Sequence, residues 1–171
     1  MLNTSTLSGL LLRKNAMTTV IVETRIDAPL ELCFDLARDV DVHVQTSCAT
    51  KERAVDGKTT GRLELGDVVT FEGIHFGIRQ RLSGKITEYD RPRRFVDEMM
   101  KGAFSSLRHV HEFSHENGSI LMRDTLTWRA PFGIVGRFFD KVLLERHMRT
   151  YLVEKQKKLK SLAEEMATPA G

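Results

Sequence analysis

Two histidines and an aspartate have a spacing that could support chemistry. His109 and His111 stand two residues apart in an alternating stretch, so a β-strand would present both imidazoles on one face. The next alternating stretch carries Asp124 on its apolar face, and the Asn117-Gly118 pair between the stretches is typical of a two-residue hairpin turn. A turn at that point pairs His111 with Asp124. The sequence therefore predicts an imidazole and a carboxylate in contact on the inner face of a sheet.

A second carboxylate joins this group from the preceding strand. The same alternation turns Asp97 inward, and a hairpin at Gly102 brings it close to His109. Buried ionisable side chains need partners, and here each histidine has a carboxylate within reach. We therefore expect two imidazoles and two carboxylates together on one face.

A further carboxylate depends on the orientation of a less regular stretch, Asp67 to Ile78. We favour the alternate set that contains Glu72 as the inward one, which leaves His75 on the outside. A bulge at either glycine of this stretch would reverse part of the assignment.

Three interpretations of the histidine and aspartate cluster remain open. His109, His111 and Asp124 could bind a metal ion, although a two-residue histidine spacing is weak support for one. His111 and Asp124 could serve as base and orienting group, with His109 and Asp97 as a second acid. We favour the third interpretation, in which the groups satisfy one another or bind the polar end of a ligand without chemistry. We accordingly expect no metal and no cofactor.

The elements that must position these residues follow from the hydrophobic pattern. Thr19 to Ile26 alternates as a strand, and a helix follows from Pro29 with Asp27 as its N-cap. A shorter helical segment extends to about Ser47. Between Ala49 and Trp128, turn signals separate six strands, and short connections indicate antiparallel neighbours.

The longest helical pattern, about Ile134 to Glu164, closes the predicted domain. Its apolar residues form one stripe, so this helix is expected to cover the sheet. The lysine run in its last turns (Lys155, Lys157, Lys158 and Lys160) is interpreted as a solvated face rather than a nucleic-acid site. The fold class is therefore α+β.

Length and composition limit the remaining possibilities. The chain has 171 residues and a formal net charge of +3, which fits one domain, and we assign it to residues 17–165. Residues 1–16 are interpreted as an extension and 166–171 as a flexible tail. Since there is no run of about 18 apolar residues, no transmembrane segment is expected. Two cysteines are too few for a disulfide framework, and the cytoplasm is the expected compartment.

Several segments resemble those of one known superfamily. They are LELCFDLARDVDVH after the first strand, GDVVTFEGIHFGIRQRL, ITEYDRPRRFVDEM, GAFSSLRHVHEF and LMRDTLTWRAPFG. Over about residues 18–164 the chain resembles the START-like (SRPBCC) proteins, in particular the bacterial polyketide cyclase/dehydrase-like branch that binds ligands. The resemblance implies a helix-grip fold, in which a seven-stranded antiparallel sheet curves around a long C-terminal helix, with two short helices after the first strand.

The resemblance also implies a cavity between the concave sheet face and the long helix. Its expected apolar walls are Phe76, Ile78, Phe95, Met99, Phe113, Met122, Leu126, Trp128, Phe138 and Val142. Its expected polar floor is Glu72, Asp97, His109, His111 and Asp124.

The function implied by the resemblance is binding of a small hydrophobic molecule such as a lipid, quinone, polyketide or other aromatic compound. One alternative is an enzyme of the cyclase, dehydratase or isomerase type that uses the His/Asp cluster, with His109, His111, Asp124 and Asp97 as catalytic candidates. A second alternative is a lipid or quinone chaperone that acts on a protein partner or, by peripheral contact, on a membrane. No nucleic-acid partner is expected.

Overall fold

The computed structural model describes residues 17–129 and 143–168. The strands are β1 (Thr18–Ile26), β2 (Arg53–Gly57), β3 (Val68–His75), β4 (Ile78–Asp90), β5 (Arg94–Lys101), β6 (Ser106–Glu116) and β7 (Ser119–Arg129). The helices are α1 (Leu30–Ala37), α2 (Val40–Thr46) and α3 (Glu145–Ala167).

The strands form one seven-stranded sheet with the order β1-β7-β6-β5-β4-β3-β2. All neighbouring strands in it are antiparallel. Since β1 pairs with β7, the first and last strands meet, and α3 packs against β1 and the two short helices. This is the predicted helix-grip arrangement, with a curved sheet around the C-terminal helix.

Two apolar clusters hold the helices to the sheet. In the first, Phe34 of α1 makes edge-to-face contacts with Phe95 and Phe113, with ring centroids 5.4 and 5.6 Å apart. In the second, Trp128 of β7 packs with Leu152 of α3, and both are buried. The cavity described below lies between these anchoring contacts.

The β6–β7 hairpin forms as predicted. Asn117 and Gly118 both have positive φ angles, 51° and 85°, as the two-residue turn requires. The register pairs His111 with Asp124 and His109 with Leu126. The prediction of a shared imidazole and carboxylate face on these strands is therefore confirmed.

A turn that the sequence analysis missed divides the stretch from Asp67 to Ile78. Strand β3 ends at His75, and Phe76 and Gly77 form a hairpin turn with φ angles of 53° and 74°. Phenylalanine rarely adopts a positive φ, so its side chain gave no turn signal. The predicted total of six strands after α2 is correct, but two of them occupy the segment between Val68 and Asp90.

Helix boundaries differ from the predictions in two places. Asp27 is not the N-cap of α1, because Pro29 occupies that position and the Asp27 backbone N–H donates to Glu164 Oε1 over 2.9 Å. Helix α3 continues to Ala167, beyond the predicted helix end at about Glu164. The predicted start of the long helix lies outside the described residues. None of the described helices is both long and apolar enough to cross a membrane.

Candidate functional site

A cavity of about 450 Å³ lies between the concave face of the sheet and α3. Its volume is within the range of about 300–1,000 Å³ that small-molecule sites occupy. Most of its lining is apolar. The apolar lining includes Leu63, Val69, Phe71, Leu82, Ile86, Phe95, Leu107, Leu126, Leu144, Met148 and Leu152.

About half of the predicted site residues line this cavity. Those that do are Phe76, Ile78, Phe95, Asp97, His109, His111 and Leu126. Those placed elsewhere are Glu72, Met99, Phe113, Met122, Asp124 and Trp128. Phe138 and Val142 lie outside the described residues.

The misplaced apolar residues point to the concave side, but helices cover them. Phe113 and Met122 belong to the first apolar cluster, under α1. Trp128 is fully buried in the second cluster, and Met99 packs against that cluster. An inward face of a sheet therefore includes both core and cavity, and strand alternation cannot distinguish the two.

Asp97, His109 and His111 form the floor of the cavity, and Asp124 lies behind His111. We call these four ionisable side chains the floor cluster. His111 Nε2 lies 3.0 Å from Asp97 Oδ2, at hydrogen-bond distance. His111 Nδ1 lies 2.7 Å from Asp124 Oδ1, an ion-pair contact whose angle does not satisfy a hydrogen bond. His109 is 3.8 Å from Asp97 and 3.7 Å from Asp124, too far for hydrogen bonds to either. The His111 ring therefore lies between the two carboxylates.

The two histidines of the floor cluster differ in their pKa values. Burial, followed by the charge of the nearby His111, lowers the pKa of His109 to about 4. Burial also acts to lower the pKa of His111, but Asp124 and the contacts with both carboxylates outweigh it and raise that pKa to about 9. At neutral pH, without a bound ion, His109 is neutral and His111 is protonated.

Several buried atoms of the floor cluster lack a hydrogen-bond partner. They are His109 Nε2, His111 Nδ1 and Asp124 Oδ1. The other Asp124 oxygen is held, since Gln156 Nε2 donates to it over 2.9 Å and Thr24 in turn donates to Gln156 over 2.7 Å. Unpartnered buried polar atoms are costly and rare in folded proteins. Because His111 Nδ1 and Asp124 Oδ1 face each other as an ion pair, the capacity of the floor cluster for further hydrogen bonds lies at His109.

A second polar group borders the cavity, and the sequence analysis missed it. It consists of His43, Glu52, Tyr151 and Lys155, which we call the wall cluster. His43 Nε2 donates to Glu52 over 2.6 Å, and Lys155 Nζ donates to His43 Nδ1 over 2.6 Å. The Tyr151 hydroxyl donates to the same Glu52 oxygen over 3.1 Å. All four side chains line the cavity, as does the more distant His75.

The contacts of the wall cluster determine its charges. Burial alone would raise the pKa of Glu52, but hydrogen bonds from His43 and His75 hold it far below its ordinary value. Burial, followed by the charge of Lys155, lowers the pKa of His43. Burial raises the pKa of Tyr151 well above its ordinary value and lowers that of Lys155. Glu52 is thus a charged acceptor with several donors around it.

Lys155 also corrects the interpretation of the lysine run, because it faces the cavity instead of solvent. A signal for this was present in the sequence. Lys155 follows Leu152 by three residues and precedes Leu159 by four, so it lies on the apolar stripe of the helix. A single lysine within such a stripe is a reason to expect a buried amine.

The assignment of Glu72 and His75 to opposite faces was the wrong way round. Glu72 lies on the outer face of the sheet. Its side chain is nevertheless only 5% exposed, because three arginines surround its carboxylate. Hydrogen bonds from Arg53 and Arg81 lower its pKa to about 2. His75 instead faces the cavity, where its Nδ1 lies 3.1 Å from His147 Nε2.

No family model and no curated protein matches the sequence. Solved structures do resemble the fold. TTHA0849 from Thermus thermophilus is 20% identical, with a TM-score of 0.73 over 88% of this chain and 100% of that one. The major latex-like protein 151 of Panax ginseng is 12% identical, with a TM-score of 0.66 over 87% of this chain and 99% of that one. Ms6760 from Mycobacterium smegmatis is 16% identical, with a TM-score of 0.62 over 89% and 98%. The chain therefore has the same helix-grip fold as these structures.

Proposed function

We propose that this protein binds a small, mostly apolar molecule with one neutral polar group, in the cavity between the sheet and α3. The observation that carries the proposal is a cavity of about 450 Å³ with a mostly apolar lining and two groups of polar side chains, the floor cluster and the wall cluster. This distribution is typical of sites that bury a ligand and orient it through a few polar contacts.

The charges of the floor favour a neutral polar group over a carboxylate. Asp97 and Asp124 place two carboxylates there, whereas His111 is the cation between them. A ligand carboxylate would add a third negative charge in a site with little water to screen it. An alcohol, ketone or quinone avoids that repulsion and can still hydrogen-bond to His109.

A displacement assay tests the proposal. The neutral probe N-phenyl-1-naphthylamine should fluoresce on binding to the protein in a buffer with EDTA. Decanol should displace it, and decanoate should be at least about tenfold weaker, which corresponds to about 1.4 kcal/mol. Equal displacement by the two would contradict the preference for a neutral group. A failure of the probe and of every alcohol and ketone to bind would contradict the proposed function.

Gly84 offers a way to fill the cavity without straining the backbone. It lines the cavity, and a Cβ added there meets its neighbours only at 3.8 Å or more. Gly84→Leu should therefore weaken probe binding at least about tenfold by occupying ligand volume. The matched control is Lys85→Leu, which adds a leucine one residue along the strand, on the exposed outer side. Loss of probe binding in the control variant alone would place the probe on the outer face.

A further inference from the structure

We propose that Asp97, His109 and His111 form a binding site for a divalent transition-metal ion, which opens into the cavity. The ion would bind to the floor cluster described above, and this binding does not depend on the proposed apolar ligand. It rests on the spacing of the donor atoms, on the carboxylate behind His111 and on the chemistry of the three ligands.

The donor atoms already have the spacing of a coordination sphere. One atom from each of Asp97, His109 and His111 lies within 4.8 Å of the others. Asp97 Oδ2 is 3.0 Å from His111 Nε2 and 3.8 Å from His109 Nδ1. Ligands bound about 2.1 Å from a tetrahedral ion are about 3.4 Å apart. Asp97 is therefore within about 0.4 Å of ligand spacing from both rings, and the two ring nitrogens lie within 4.8 Å of each other.

The sheet supplies a rigid support for these three ligands. His109 and His111 project from the same face of β6, and Asp97 lies opposite His109 on β5. Sites built on paired strands retain their geometry better than sites built on loops. The histidine spacing was visible in the sequence, but the position of the third ligand depends on the strand register.

Asp124 orients one of the ligands. Its Oδ1 lies 2.7 Å from Nδ1 of His111, which leaves Nε2 of that ring directed at Asp97. A carboxylate behind a histidine in this manner is the usual support for a metal ligand, since it sets the tautomer of the ring. Gln156, itself 1% exposed, holds the second Asp124 oxygen. We therefore assign Asp124 as a positioning residue and not as a ligand.

The unpartnered nitrogen of His109 provides further support. His109 Nε2 is buried without a hydrogen-bond partner, so no existing hydrogen bond has to break when that ring turns onto an ion. A small rotation of His111 onto an ion at its Nε2 would align Nδ1–H with Asp124. A divalent cation would also supply positive charge between two buried carboxylates.

The ligand types narrow the choice of ion. Two imidazoles and one carboxylate suit Zn²⁺, Co²⁺, Ni²⁺ or Fe²⁺, whereas Mg²⁺ and Ca²⁺ prefer oxygen ligands throughout. Three protein ligands leave at least one coordination position for water or for a polar group of a bound molecule. Because Asp97 and both histidines line the cavity, that position is open to the cavity.

The test is direct metal binding to the purified full chain after EDTA treatment and dialysis. Zn²⁺ binding is measured by calorimetry, and Co²⁺ binding by its visible absorption bands. We expect about one Zn²⁺ per chain with micromolar or tighter affinity, and Co²⁺ bands typical of tetrahedral or five-coordinate geometry. Mg²⁺ should not compete. Absence of Zn²⁺ and Co²⁺ binding would overturn the proposal.

Variants distinguish this site from a second histidine pair. His109→Gln and Asp97→Asn should each weaken Zn²⁺ binding at least about 100-fold, and Asp124→Asn should weaken it about 10-fold to 100-fold. His147→Ala is the matched control, because His147 contacts His75 in the same cavity, 3.1 Å away. Loss of binding in His147→Ala with retention in both His109→Gln and Asp97→Asn would place the ion elsewhere and refute the site.

Two further measurements keep the outcome interpretable. Circular dichroism of each variant shows whether it folds, and two ligand variants are used so that one unfolded protein does not decide the result. Binding of N-phenyl-1-naphthylamine is measured in EDTA, so it succeeds or fails independently of the metal. A protein that binds Zn²⁺ but no apolar probe would support the metal site and contradict the proposed function. A protein that binds the probe but neither Zn²⁺ nor Co²⁺ would support the proposed function and contradict the metal site.

Discussion

The floor cluster and the wall cluster border the same cavity and contain similar side chains, but their hydrogen bonding differs. In the wall cluster, His43 uses both ring nitrogens, one toward Glu52 and one toward Lys155. In the floor cluster, His109 has a buried ring nitrogen without a partner. Burial alone therefore does not distinguish the two clusters.

This difference separates a structural role from a functional one. Glu52 accepts hydrogen bonds from His43, Tyr151 and Thr50, which connects α2, the loop before β2 and the C-terminal helix. Such a network contributes to stability when every member is satisfied. A cluster with unsatisfied atoms contributes less to stability and retains the capacity to bind. We therefore expect the wall cluster to maintain the fold and the floor cluster to bind ligands.

The largest predicted effect comes from removing the central acceptor of the wall cluster. Glu52→Ala should lower the free energy of unfolding by about 3 kcal/mol, because it leaves a buried lysine and two polar rings without their anion. Urea denaturation measures this. Glu154→Ala is the control, since Glu154 is exposed on α3 and its loss should change stability by less than about 0.5 kcal/mol. Equal effects of the two substitutions would show that the wall cluster has no special structural role.

The pH dependence of stability should depend on the same residue. Burial acts to raise the pKa of Glu52, but hydrogen bonds from His43 and His75 outweigh it, so the pKa is depressed in the folded protein. Its stabilising contribution is therefore complete above the unfolded pKa of about 4.3 and is lost as the pH falls below that value. Unfolding measured in urea should show a steep loss of stability below about pH 5.

Glu52→Gln tests this assignment, because glutamine cannot ionise but has almost the same shape. Its stability should fall less steeply with acid than that of the wild type. Part of the loss of stability in acid should remain in this variant, since the pKa of Asp35 is also lowered in the folded protein. Burial acts to raise the pKa of Asp35, but hydrogen bonds from Arg91 and Arg38 outweigh that effect. Identical slopes in the variant and the wild type would rule out Glu52 as the source.

The smallest predicted effect, and the sharpest contrast, comes from replacing one histidine of each cluster by leucine. His43→Leu should lower the free energy of unfolding by about 2 kcal/mol, since Glu52 and Lys155 lose a buried partner. His109→Leu, measured in EDTA, should leave stability unchanged or raise it by up to about 1 kcal/mol, because an unpartnered nitrogen is removed. Thermal and urea unfolding of both variants would check this. A larger loss in His109→Leu would reverse the distinction between the clusters.

The parts of the site that could be predicted are those governed by local rules. The Asn117-Gly118 turn determines the β6–β7 register, so the contact between His111 and Asp124 followed from the order of residues. The position of Asp97 next to His109 followed in the same way from the β5–β6 pairing. Glu72 was misplaced because the turn at Phe76 and Gly77 has no usual turn-forming residue at its first position.

The sequence by itself determined the order of strands and helices, the alternation of each strand and the hairpin contacts of the floor cluster, because these depend on neighbours along the chain. Tertiary structure alone decided the wall cluster, since Lys155 and His43 are 112 residues apart and meet only when α3 packs across the sheet. It also decided which inward residues line a cavity and which are covered, as Phe113 is by α1. Alternation specifies a face of a strand, and only the packing of another element over that face determines whether a side chain meets protein or open space.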